Sequence, residues 1–85
     1  HFAVALQYES ELMSAPKVVA KGVDEVAFRI REVANENNVP IVENPSLARA
    51  LFAAADIDDE VPSEHYKAVA EIISYVFQLK KKISN

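Results

Sequence analysis

Phe2, Val4, Leu6 and Tyr8 alternate with Ala3, Ala5 and Gln7, a period of two that predicts a β-strand over residues 2–8. A polar stretch from Glu9 leads to Pro16, whose ring nitrogen cannot donate a backbone hydrogen bond. Val18 and Val19 then supply β-branched packing for a second short strand, Lys17 to Lys21. After Gly22 the period changes. Val23, Val26, Ala27, Ile30, Val33 and Ala34 share one face of a helix expected over residues 23–37, with Asp24, Glu25, Arg29, Glu32 and Glu36 opposite. Acidic residues in the first turn suit the positive end of the helix dipole, and Asn37-Asn38 predicts its end, because Asn tolerates left-handed backbone.

Val39 to Glu43 reads as a third strand, with Pro40 placing it at an edge or at a start free of ladder bonds. Asn44-Pro45 pairs an N-cap residue with proline at the first helical position, so a helix follows to about Ala55, burying Leu47, Ala48, Leu51, Phe52 and Ala55. Asp56 to Glu60 is an acidic loop. Pro62 and Ser63 open a last helix with the stripe Tyr66, Val69, Ala70, Ile73, Val76 and Phe77, and Lys80 to Lys82 close it at the negative end of the dipole. Ile73 and Phe77 are expected in its core. The expected class is α/β, in the order β-β-α-β-α-α: a small mixed sheet of three strands packed with three to four helices. The unit from Lys17 to Glu43 should be a parallel, right-handed crossover, and the strand at residues 2–8 should take a further partner strand from upstream.

The 85 residues make one small domain, 1–85, with few apolar positions to spare. A net charge of −4 argues against nucleic acid, whose phosphates require clustered Lys and Arg. There is no cysteine, which excludes disulfides and thiolate zinc sites. No apolar run is long enough to cross a bilayer. An opening His1 in place of Met, directly before a strand pattern, is expected of a fragment.

Candidate chemistry mostly fails on spacing. Lys21-Gly22 could suggest a phosphate loop, but Gly22 is the single glycine, and that loop needs two together with a Ser or Thr after the lysine. Asp56 to Glu60 opens like a calcium loop, yet Val61 stands where glycine belongs and Lys67 where glutamate belongs. The two histidines, His1 and His65, suggest no metal site, and no cofactor is implied. No nucleophile-elbow pattern occurs. A small ligand-binding α/β domain would need convergent polar groups that the sequence does not point to.

The run HFAVALQYESELMSAPKVVAKG, followed by VAFRIREVANENNVPIVENPSLARALF and VPSEHYKAVAEIISYVFQLK, resembles over essentially its whole length the cytoplasmic domain of the FlhB/YscU family, the export-gate switch proteins of type III secretion. The details resemble the flagellar branch. The resemblance implies a component that receives export substrates and switches from rod and hook types to filament types after self-cleavage. It implies a parent protein held in the bacterial inner membrane through an N-terminal domain, with this part on the cytoplasmic side. Implied partners are the upstream piece of the same protein, other export-gate components, rod and hook substrates and the hook-length ruler protein. The family's motif is Asn-Pro-Thr-His, cut between Asn and Pro when the Asn amide attacks its own carbonyl. His1 matches the fourth residue of that motif, either assisting the reaction or stabilising the turn, and the scissile bond itself is not in this sequence. A membrane-free paralogue that never cleaves is the other reading within the family. Substrate segments are expected on an apolar patch of Ala15, Pro16, Ala70 and Ile73; Ile73 stands where the family often has Leu. Ala15 and Pro16 are expected to be exposed in their loop, while Ala70 and Ile73 could equally be core.

Overall fold

A computed structural model describes residues 1–9, 11–12 and 14–83. Strands β1 (Phe2–Gln7) and β2 (Lys17–Val23) pair antiparallel, with Phe2 opposite Val23 and Ala5 opposite Ala20. The register then shifts, so that Leu6 faces Val18 and Val19 becomes the extra, bulged residue. The bulge returns Val18 to the same face as Leu6 and leaves Val19 exposed. A two-stranded ribbon is marginal alone, and helices cover both of its faces: α1 (Glu25–Glu36) on one, α2 (Pro45–Ala54) and α3 (Tyr66–Ile83) on the other.

The alternation read along β1 decides which helices go where. Its large residues face α2 and α3: Phe2 meets Phe52 edge-on at 5.1 Å between ring centroids, and Val4 and Leu6 pack against Leu47, Leu51, Val61 and Val69. Val18 and Val69 are fully buried there. The opposite face carries Ala3, Ala5, Ala20 and Gly22, and over it α1 approaches so closely that a Cβ built on Gly22 would lie 2.2 Å from the Val26 Cγ1. Gly22 is needed for that contact, since its φ is not positive.

Three expectations are corrected. The stretch 39–43 forms no strand, so neither the three-stranded sheet nor the parallel crossover is present among the described residues. The amides at its start are spent or missing. The Val39 N–H donates to the Ala34 carbonyl (2.8 Å) and the Asn38 N–H to Asn35 (3.3 Å), with Asn38 left-handed at φ 57°, which is a Schellman end for α1; Pro40 has no N–H at all. The outer edge of β2 is instead lined by residues 58–61. The Val18 N–H donates to the Asp59 carbonyl (2.8 Å), the Asp58 N–H to Val18 (2.7 Å) and the Val61 N–H to Pro16 (2.8 Å). The acidic loop thus keeps its side chains in water while its backbone docks on the sheet.

The second correction concerns α1. Only Ala27 of its predicted face is buried, while Val23, Val26 and Val33 are exposed, because a helix resting on a face of alanines and a glycine touches it along a narrow strip. The third concerns α3. Its contact with the body runs through Ala68, Val69, Ile72 and Ile73, and Phe77 is 51% exposed rather than in the core. An 18-residue helix is about 27 Å long, and the small body covers mainly its first half.

Helix α2 matches its reading. The Asn44 Oδ1 accepts from the Leu47 N–H at 3.2 Å, with Pro45 in the first turn. Its far end is closed by Lys21, whose Nζ donates to the Phe52 and Ala55 carbonyls (3.0 Å each), lies 4.8 Å from the centre of the Phe52 ring and pairs with Asp56 at 3.4 Å. A cation at the negative end of a helix is favourably placed. The lysine that invited a phosphate-loop reading therefore serves the framework.

Candidate functional site

Between the loop that leads into β2 and the length of α3 lies a groove of about 470 Å³. Tyr8, Ser14, Ala15 and Pro16 form one wall; Tyr66, Ala70, Ile73, Ser74 and Phe77 form the other. All four positions expected to receive substrate segments, Ala15, Pro16, Ala70 and Ile73, therefore meet in one place, although more than fifty residues separate the two pairs along the chain.

Their exposure is the reverse of what the loop position implied. Ala15 is 3% exposed and Pro16 is buried, whereas Ala70 is exposed and Ile73 half-buried. The Pro16 carbonyl accepts the Val61 N–H and Lys17 bridges to Glu60, so the loop is stitched into the body where it meets the groove. Ala15 and Pro16 are thus a fixed floor, and Ala70 an open position on the rim. Small side chains at 15 and 70 leave the space, and the aromatic rings of Tyr8, Tyr66 and Phe77 flank it. Such a cleft, mostly apolar with a few hydroxyls and with Gln78 and Lys81 at its lining, has the size and character of a binding site for large apolar side chains.

Tyr8, Tyr66 and Phe77 were not anticipated as groove residues. The available signal was quantity: Tyr66 and Phe77 belong to a stripe longer than a small body can cover, and both remain about half exposed. His1 stands apart. It is exposed at the opposite end of β1 from Tyr8, and its carbonyl accepts the Asp24 N–H at 2.8 Å. Among the described residues no three of His, Cys, Asp or Glu are placed to hold a metal ion, and no helix is long and apolar enough to cross a membrane.

A groove and two chain-distant segments would not identify a protein, but the sequence over them does. The profile of the FlhB HrpN YscU SpaS family matches residues 1–76. The chain belongs to that family. It is 57% identical over 81 residues to the flagellar biosynthetic protein FlhB of Escherichia coli, covering 95% of this chain and 21% of that protein. Against FlhB of Bacillus subtilis it is 51% identical over 83 residues, 98% of this chain and 23% of that one. It thus spans about a fifth of the length of these relatives. The crystal structure of the cytoplasmic domain of FlhB from Shewanella putrefaciens superposes with a TM-score of 0.88 at 50% identity, over 92% of this chain and 63% of that one. The PscU C-terminal domain does so with a TM-score of 0.86 at 30% identity, over 89% and 96%. The α/β fold of this FlhB-family chain is therefore that of the family's cytoplasmic domain.

Proposed function

We propose that this FlhB-family chain is the cytoplasmic switch domain of a flagellar type III export gate, and that its groove docks short apolar segments of export substrates. The observation that carries this reading is the meeting of Ala15, Pro16, Ala70 and Ile73 in one apolar groove. In the parent protein the domain sits on the cytoplasmic side of the inner membrane, downstream of a self-cleaving Asn-Pro-Thr-His loop that ends at His1. Cleavage there changes the class accepted from rod and hook substrates to filament substrates. The partners are the upstream piece, which adds a strand to the sheet, the other gate components and the hook-length ruler protein. The cleavage is a single event in the parent protein's backbone, just upstream of His1, and the chain carries out no turnover reaction.

The test is titration of the N-terminal peptide of a rod or hook substrate against wild type, Ala70→Gln and Phe77→Ala, with thermal melts alongside. Both positions are exposed, so both variants should stay folded and lose less than about 1 kcal/mol. Each should weaken the peptide about tenfold, which corresponds to about 1.4 kcal/mol of lost apolar contact. Unchanged binding in both folded variants would remove the groove from substrate docking. Ala15→Asn is the poorer probe, because a buried position loses stability together with binding.

A further inference from the structure

Asp24 joins β2 to α1 with φ 52° and ψ −111°. This is close to the first corner of a type II′ turn, about 60° and −120°, a conformation dominated by glycine. It is not the left-handed helical region that Asp and Asn tolerate. Asp is also among the strongest N-cap residues, yet here it stands at the N-cap of α1 and its side chain makes no capping hydrogen bond. The backbone conformation turns the carboxylate away from that task.

Two hydrogen bonds hold this arrangement. The Asp24 N–H donates to the His1 carbonyl at 2.8 Å, flanking the Phe2–Val23 pair, and the Asp24 carbonyl accepts the Phe28 N–H at 2.9 Å as the first bond of α1. An outlier of this kind persists only where its surroundings over-determine it. Here one of the two bonds comes from the first residue before β1. If the His1 bond is lost, Asp24 can relax to an extended φ, where its carboxylate reaches the otherwise unpaired amides of the first turn while its carbonyl still accepts from Phe28.

We infer that residue 24 is a strained two-state joint: it either holds the His1 carbonyl with its backbone in a glycine conformation, or releases His1 and caps α1 with its side chain. The end of β1 next to His1 is then the part of the sheet that lets go at least cost, and its release leaves the helix intact. The joint sits at the opposite end of β1 from the groove and does not depend on what the groove binds.

The experiment is amide hydrogen exchange followed by NMR on wild type and Asp24→Gly, with melting curves for both. In wild type, the residue 24 amide should exchange at least about tenfold faster than that of Phe28, because the Phe28 bond survives in both states. Glycine adopts the held conformation without strain and cannot cap, so Asp24→Gly should slow exchange at residue 24 by about tenfold and raise the melting temperature by at least about 4 °C. Equal exchange at residues 24 and 28 in wild type would mean that the helix unravels as a whole. A variant that melts no higher, or exchanges no more slowly at residue 24, would mean that the joint is not strained. Each of these results overturns the inference.

Discussion

The two faces of the β1–β2 ribbon carry helices in opposite ways. On one face α2 and α3 bury Leu47, Leu51 and Val69 against Val4 and Leu6, and α2 is closed at both ends, by Asn44 and by Lys21. On the other, α1 buries Ala27 alone, has no side-chain N-cap and leaves Val26, Phe28 and Val33 in water. Burial of large side chains secures the first face; close backbone approach over Gly22 secures the second. The apolar groove opens on the first, where α3 outruns the core that holds it. A small domain with few large residues has concentrated them on one side, and the surplus aromatic rings on that side are what a ligand can meet.

The contrast can be broken at either face. The largest effect is expected at Leu51→Ala, a buried side chain in the centre of the well-packed layer, which should lose about 2–5 kcal/mol. In a domain this size that is enough to unfold much of the population, and urea unfolding monitored by circular dichroism measures it. A loss below about 1 kcal/mol would mean that the core lies elsewhere. A smaller loss is expected at Gly22→Ala, about 1–3 kcal/mol, because the added methyl would overlap the Val26 Cγ1 at 2.2 Å and its Cβ at 2.7 Å. Since Val26 is otherwise exposed, a second change to Val26→Ala should restore part of the loss. Equal stability of wild type and Gly22→Ala would show that α1 has room to move away from the sheet.

Much of this was legible in residues whose chemistry is local. The alternation in β1, the Asn44-Pro45 start of α2 and the Asn38 end of α1 all appear where the sequence places them, because capping and strand period depend on neighbours a few positions away. What failed depended on distant partners. Val39 to Glu43 has strand composition, but whether it pairs is decided by which edge of β2 is free, and the backbone of residues 58–61 occupies the start of that edge, at Pro16 to Val18. The stripe of α3 is real as a pattern, yet periodicity cannot say how far along a helix the body reaches, and so Phe77 fell on the wrong side of the boundary. Lys21 gave no sign that it would cap a helix more than thirty residues away. The four proposed docking positions came from family resemblance and not from periodicity. Their meeting required β2 and α3 to be brought together, which no stretch of the sequence encodes by itself.

The most direct test of the groove is an isotope-labelled spectrum of the chain, recorded while the N-terminal peptide of a rod or hook substrate is added. The groove account predicts that the largest shifts cluster at Tyr8, Ala15, Tyr66, Ala70, Ser74 and Phe77, while amides along α1 stay in place. Shifts centred on α1, around the exposed Val26, Phe28 and Val33, would contradict it and move substrate docking to the other face of the sheet.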